Sequence, residues 1–560
     1  MKKNHFDFKK TDFNRLRRLA VLFSAAAAVF LVVQSCCNMP VLSEAQKLAE
    51  SNLTSCTGNH AKGQMSVVVS SKVASFDNEF LKNVWNGAMK TFIDPKVFSV
   101  KSVNSATGDP DSVRFLELDG KFANGLGVGS RVLGALFKES GGGNGVLGTG
   151  TLSYLQEALE VKSPEPSDSD KFNKLSSFDG LNQFLSPQHP DGLSELYADY
   201  DASEQWAPKQ VRYDEAIAEF QTAVAAANPA KVVRVAVLDT GVDVNHPDLK
   251  DAIDTTLAYN ALTGKAGVSE VTDNQGHGTH VAGIIAGQGI GKAAGMLSNV
   301  LGIAGKFKVK IVPVKVLGDD GSGNTSAINR GIRWATQNKV DIISMSLGGG
   351  SNYDCLKDQG LKDPIIQEAI DKGIIVIAAA GNEACPLGGD CKKLDPAFER
   401  YTVLPCASDN VLCVGSNDFQ EQPSNFSNFA SSNDSQSLPY RIAPDIVAPG
   451  SKILSTYPTV TKFAAYKGVA VLGGTSMATP YVSGIAAILK LTETAAYPVN
   501  QATLKTYLQE ASYQSDTYKE RFGVGRVDLK ALLENRKNKY INKTTQTAVS
   551  GTANPVTYTY

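Results

Sequence analysis

An aspartate, a histidine and a serine stand at positions 239, 277 and 476, each where an apolar run stops or a helical pattern starts. A serine hydroxyl becomes a nucleophile when a base takes its proton, and an imidazole base needs a carboxylate to fix its tautomer and stabilise its charged form. Asp239 closes RVAVLD, His277 lies between glycines in NQGHGTHVAG, and Ser476 follows Gly473 and Gly474 in GGTSMATP. Taken singly, each is bland, since a strand-end aspartate is usually a turn former and a serine at a helix start a cap. Taken together, the order Asp, His, Ser is one of the known chain orders of a nucleophilic triad. Asn382, next to last in IVIAAAGNE, adds a side-chain amide that could share the oxyanion of a tetrahedral intermediate with the Ser476 backbone N–H.

The motif GHGTH holds two of only six histidines. They could be a metal pair, a general base with a bystander, or two ordinary helix residues. A metal hydrolase would want HExxH or an equivalent ligand set, and HGTH brings no acid onto the same face. The reading kept is His277 as base and His280 as a packing residue that hydrogen-bonds locally.

These residues need a scaffold. VVRVAVLDTG, KVKIVPVKVLG, VDIISMSLGGG, GIIVIAAAGN and DNVLCVGS are short apolar runs rich in Val and Ile that end in Gly, Asp or Asn. Between them fall the helical patterns THVAGIIAG, TSAINRGIRWATQNK and PIIQEAIDKG, with SMATPYVSGIAAILKL near the end. Near-continuous apolar strands alternating with helices predict an α/β fold with a mainly parallel sheet covered on both faces. Functional residues then gather at the carboxyl ends of the strands. Upstream, MSVVVSS and VRFLEL read as strands and YLQEAL as a short helical run, giving a small α+β unit before a polar connector, SPEPSDSDKFNK.

The chain has 560 residues, too many for one average domain. Its formal net charge is −1 and it has no long basic run beyond its N-terminal segment, which argues against nucleic acid as a partner. Lys2, Lys3, Lys9, Lys10, Arg15, Arg17 and Arg18 precede an apolar segment from Leu19 to Val33, the layout of a signal peptide. That segment is short for a membrane span, which needs about 20 residues. It ends in VVQSC, which resembles the lipobox of bacterial lipoprotein precursors and makes Cys36 the candidate for lipidation. Of the eight cysteines, five (Cys355, Cys385, Cys391, Cys406, Cys413) cluster near the middle of the chain. Cys413, inside the apolar NVLCVG, is expected to be a buried free thiol, and the other four to form two disulfides of open connectivity.

VAVLDTGVDVNHPDL, GHGTHVAGIIAG, AAAGNE and GGTSMATPYVSG closely resemble the Asp, His, Asn and Ser motifs of subtilisin-like serine proteases, the subtilases of peptidase family S8. SLGGG, NVLCVGS, APDIVAPGSKILST and GVGRVDLKALL support it, and the resemblance covers about residues 200 to 535. It implies a three-layer α/β fold and an endopeptidase in which Ser476 is the nucleophile, His277 the general base and acid, Asp239 the orienting carboxylate and Asn382 the oxyanion donor. Losing such a donor costs roughly 2.7–4 kcal/mol, a figure measured in a subtilisin and therefore carried over from the family. Peptide substrates would add as a strand against Ser346, Leu347 and Gly348. A non-catalytic protein on the same scaffold would show a broken set, whereas all four positions are filled here. No cofactor is implied for catalysis. A structural calcium is implied at Gln205 and Asp248, with Asn299 as a further ligand in the loop after the His helix. The resemblance also implies a propeptide that assists folding and occupies the active site. The expected layout is a lipoprotein-like signal peptide over 1–35, a tether over 36–65, a propeptide or accessory α+β domain over 66–167, a linker over 168–198, the catalytic domain over 199–535 and a polar tail over 536–560. Self-cleavage is expected between about Pro166 and Tyr200. The expected protein is a monomer, exported to the cell envelope on a lipid anchor or to the outside, acting on protein or peptide substrates.

Overall fold

The computed structural model describes residues 60–69, 98–104, 114–120, 146–148 and 152–158, and then 205–541 apart from 353–362, 392–393, 395–399, 431–443 and 523. The signal segment, Cys36, Cys355 and the 159–204 connector lie outside the described residues. The chain divides into two compact units, and all described residues belong to the one formed by 56–123 and 144–560.

The principal strands in chain order are β1 (His60–Val69), β2 (Phe98–Asn104), β3 (Arg114–Gly120), β4 (Leu152–Ala158), β5 (Val233–Asp239), β6 (Val309–Lys315), β7 (Ser322–Asn324), β8 (Ile342–Met345), β9 (Leu347–Asn352), β10 (Ile375–Ala379), β11 (Tyr401–Leu404), β12 (Leu412–Asn417) and β13 (Ile446–Pro449). The principal helices are α1 (Tyr213–Ala227), α2 (His277–Ala286), α3 (Thr325–Gln337), α4 (Pro364–Asp371) and α5 (Thr475–Leu491). A parallel sheet in the order β13-β12-β10-β8-β5-β6 forms the middle layer, extended beyond β6 by the short hairpin Tyr259–Asn260 and Lys265–Ala266.

Alternation along β5 shows why these strands are apolar throughout. Val235 and Val237 pack with Phe220 of α1, Val281 of α2 and Ile485 of α5. Ala236 and Leu238, on the opposite face, pack with Ile328 and Ile332 of α3 and Ile365 and Ile366 of α4. A sheet covered on both sides has no position where a polar side chain is free of cost. The three-layer α/β fold expected from the sequence is the one observed.

A second, antiparallel sheet runs in the order β11-β9-β4-β1-β3-β2. It joins the N-terminal strands to the protease part through β4. Glu157 of β4 is paired on both edges, with Ser322 of β7 and with Gly348 of β9. Two sequence expectations change here. The described part of YLQEAL, Tyr154 to Ala158, lies in a strand rather than a helix: Leu, Gln, Glu and Ala favour helix locally, but pairing on both edges gives the backbone its partners as a strand. The stretch read as tether is strand from His60 onward. At the other end the chain continues past 535 as a π-helical turn, Arg536–Ile541, tied down by Arg536 Nη2 donating to the Thr492 carbonyl at 3.0 Å.

The disulfides are Cys385–Cys391 and Cys406–Cys413. Cys413 is therefore bonded and not a free thiol. Its apolar neighbourhood is that of a doubly covered strand, which says nothing about the thiol's partner, and the turn after β11 brings Cys406 to a Cα–Cα distance of 4.8 Å. Among the described residues no helix is long and apolar enough to cross a membrane.

Candidate active site

Asp239 ends β5 at the carboxyl edge of the parallel sheet, and His277 begins α2 beside it. His277 Nδ1 lies 2.8 Å from Asp239 Oδ1, and both side chains are buried. The same Asp239 oxygen accepts the Thr240 N–H at 2.7 Å, so the carboxylate is held by its own backbone. Two glycines make the approach possible. Gly276 has φ of +111°, and a Cβ there would lie 2.3 Å from the Tyr457 ring. A Cβ on Gly278 would lie 2.0 Å from the Gly241 carbonyl oxygen and 3.1 Å from Asp239 Cβ.

The turn into α2 is organised by Asp273, a buried carboxylate that the sequence reading missed. It accepts the Gly276 N–H at 2.8 Å, the Thr279 N–H at 2.9 Å, the Thr279 hydroxyl at 2.6 Å and the Thr240 hydroxyl at 2.9 Å. Thr240 Oγ1 in turn accepts the Gly278 N–H at 3.0 Å, which ties the strand end to the helix start. An aspartate in TDNQG looks like loop chemistry, and only the fold shows it gathering both sides of the dyad.

His280 is fully buried, with Nε2 at 3.0 Å from the Ile453 carbonyl and 3.1 Å from that of Ala470. Two carbonyl neighbours require Nε2 to carry the proton. Burial, with the nearby His277 as a lesser cause, pushes its pKa down to about 3. It is a bystander to the chemistry, as expected, although its bonds run to strands far along the chain rather than to neighbours. Among the described residues no group of three or more His, Cys, Asp and Glu is placed to hold a metal ion.

Ser476 lies in the first turn of α5, a helix of 17 residues that packs on α2 and has no side-chain N-cap. Such a helix start leaves backbone N–H groups available for an anion and adds the positive end of its dipole. Ser476 Oγ donates to the Ser346 carbonyl at 3.0 Å, and Ser346 Oγ returns a bond to the Ser476 carbonyl at 2.8 Å. Asn382 is held from behind: its Oδ1 accepts the Thr475 N–H at 2.8 Å and the Thr475 hydroxyl at 2.9 Å. A backbone N–H can only donate, so the bond identifies Oδ1 and turns the amide NH2 the other way. Thr475 Oγ1 also accepts the Gly381 N–H at 3.1 Å. Nothing in GGTSMATP points to this role of Thr475. Next to Asn382, the Glu383 carboxyl is raised in pKa by burial and accepts from Asn428 Nδ2 at 2.6 Å. Leu347 and Gly348 follow Ser346 in β9, where they pair with β4.

The expected calcium ligands meet the loop after α2, but through amide hydrogens. Gln205 Oε1 accepts the Leu301 N–H at 2.7 Å, Asp248 accepts those of Ile290 and Val300, and Asn299 Oδ1 accepts that of Lys292 at 2.7 Å. A calcium ion needs a converging shell of oxygens. Here hydrogen donors face Asp248, and these residues do not fit the ion as arranged.

Residues 230–525 match the profile of the family described as "Subtilase family". The "Major intracellular serine protease" of Bacillus subtilis (strain 168) is 39% identical over 263 residues, covering 46% of this chain and 69% of that protein. "Subtilisin DY" of Bacillus licheniformis is 35% identical over 257 residues, with 46% and 76% covered. "Thermitase" of Thermoactinomyces vulgaris is 34% identical over 300 residues, with 52% and 83% covered.

Proposed function

We propose that Ser476 is the nucleophile of a chain that belongs to the subtilase family and is, with that family, a serine-type endopeptidase. Subtilases act on protein or peptide substrates and need no cofactor for catalysis. The observation that carries the assignment is the buried contact of 2.8 Å between His277 Nδ1 and Asp239 Oδ1, set against a helix that starts with Thr475 and Ser476. Asp239 keeps the proton on Nδ1, so Nε2 is the basic nitrogen. Nε2 takes the Ser476 proton as Oγ attacks the carbonyl carbon, then gives it to the leaving amine. The oxyanion forms between the Asn382 amide and the Ser476 N–H, both fixed before the reaction begins. A substrate strand bonding the Ser346 carbonyl would free the Ser476 hydroxyl from that acceptor. Water, activated by the same histidine, then releases the acyl group. A fluorophosphonate probe should label the wild-type protein and not Ser476→Ala; equal labelling of both would reject the assignment.

The finer reading is of an exported precursor. The basic and apolar segments of residues 1–35 support a signal peptide, and Ser35-Cys36 supports lipidation at Cys36. Radiolabelled palmitate retained by the wild-type but not by Cys36→Ser would support the anchor, and no incorporation would reject it. The unit from about residue 60 to 167 is read as a propeptide that the protease removes from itself, and the mature protein as a monomer. Full-length persistence of Ser476→Ala supports self-processing, and trimming of that variant like the wild-type rejects it. The loop after α2 is taken to dock by hydrogen bonds, without calcium.

A further inference from the structure

Asn382 sits on a loop that does not hold its own shape. Beyond β10 the chain turns through Gly381 at φ +100° and Ala384 at φ +51°, with Asn382 and Glu383 between them. Ala384 carries a Cβ and takes that conformation at a cost, so the surroundings must impose it. Peptide groups in such a turn have no helix or ladder to bond within, and a buried one left alone is costly. Asn428, fully buried, meets the loop on both sides of Asn382. Ahead of Asn382, its Nδ2 donates to the Ala380 carbonyl at 2.9 Å and its backbone N–H to the Gly381 carbonyl at 3.0 Å. Behind Asn382, Nδ2 donates to Glu383 Oε2 at 2.6 Å and Oδ1 accepts the Cys385 N–H at 2.8 Å. The approach is close, since a Cβ on Gly381 would lie 2.3 Å from Asn428 Nδ2.

A primary amide suits this place because it offers an oxygen acceptor and a pair of N–H donors in one plane, and here the loop uses both ends. The grip is anchored in turn on the parallel sheet. Ser427 Oγ, next to Asn428, accepts the Ser416 N–H of β12 at 3.0 Å, and the Phe429 N–H donates to the Cys385 carbonyl at 3.1 Å. The Tyr401 hydroxyl completes the cluster, bonded to the Glu383 carboxyl and to Asn428. Thr475 holds the oxygen of the Asn382 side chain, and Asn428 holds the backbone from which that side chain springs. We infer that Asn428 is a positioning residue for the reaction, setting the Asn382 amide by gripping the chain before and after it. This rests on Asn382 being the oxyanion donor. The charge that the amide meets develops only in the transition state, so a displaced donor lowers kcat and leaves KM nearly unchanged.

Wild-type, Asn428→Ala, Asn382→Ala and the double variant, each expressed from the full chain, are compared on a chromogenic peptide. Rates are taken per active site titrated to completion with a fluorophosphonate, so that only folded enzyme counts, and urea midpoints are measured beside them. For Asn428→Ala, kcat should fall at least about five-fold with KM within about two-fold of wild-type. In the Asn382→Ala background the same substitution should leave kcat within about two-fold, because the group it positions is gone. The same factor in both backgrounds overturns the inference, as does a lowered urea midpoint with kcat unchanged. Wild-type kcat in Asn382→Ala would instead reject the oxyanion reading, and the inference with it. Asn428→Asp keeps the size and the acceptor for the Cys385 N–H but removes both Nδ2 bonds, and it carries the comparison if the alanine variant does not fold. It should show the same loss of kcat at unchanged KM, and wild-type kcat overturns the inference.

Discussion

Thr475 offers a test of how the oxyanion site is held, because it touches Asn382 without touching the reaction. Thr475→Val keeps the shape and removes the hydroxyl. The backbone bond from Thr475 N–H to Asn382 Oδ1 stays, and the hydroxyl bond at 2.9 Å is lost. One of two hydrogen bonds fixing the amide is worth about 0.5–1.5 kcal/mol. If that full amount is lost from transition-state stabilisation, kcat falls about 2- to 12-fold. The Gly381 N–H loses its acceptor as well, a buried donor left unpaired at about 1–3 kcal/mol of global stability. Asn382→Ala is expected to cost 10²–10³ in kcat, a range measured in a subtilisin and borrowed from the family. The double variant is decisive. If Thr475 acts through the Asn382 amide, Thr475→Val should cost nothing further in kcat once that amide is gone. The assay is kcat on a chromogenic peptide for all four proteins, with urea midpoints measured in parallel. The same kcat factor in both backgrounds would refute the positioning role, as would a loss of stability with kcat unchanged.

Gly278→Ala should fold poorly or lose most of its activity, because its Cβ would lie 2.0 Å from the Gly241 carbonyl and press on Asp239; overpacking of this kind costs about 1–3 kcal/mol, and wild-type kcat and melting temperature would show that α2 yields easily. His280, with its folded pKa pushed down to about 3, stays neutral while the unfolded chain protonates near pH 6.5. Its contribution is complete above that pH and is lost as pH falls toward 3, to a limit of about 5 kcal/mol; urea midpoints from pH 7 to 4 should fall less steeply for His280→Gln, and parallel curves would contradict the burial argument. A chelator should leave the melting temperature unchanged, since amides satisfy Gln205 and Asp248; a drop reversed by calcium would reinstate the ion.

The parallel sheet was readable because each strand must be apolar on both faces, which writes runs such as VVRVAVLD into the chain. The dyad and Ser476 were readable because glycines and helix starts around them are demanded by close approach. What stayed hidden depends on partners distant in sequence. Asp273 and Thr475 look like loop and cap residues until the fold closes around them. YLQEAL has helix-forming residues, and only the edges of β7 and β9 make its start a strand. Cys413 looked like a core residue because it is one, and its bond to Cys406 depends on a turn that no local pattern specifies.

The slot between β7 and β9 is one strand wide, and without β4 it would leave an unmet row of backbone donors and acceptors on each side. Backbone groups are common to every peptide, so such a gap recognises extended chain first and side chains second. An unfolded segment of nearly any protein satisfies it, whereas a folded helix or a tight turn cannot. The same bare edges are what joins one protein to another in sheet-to-sheet association. With β4 between them, as in this structure, both edges are met and that seam is closed.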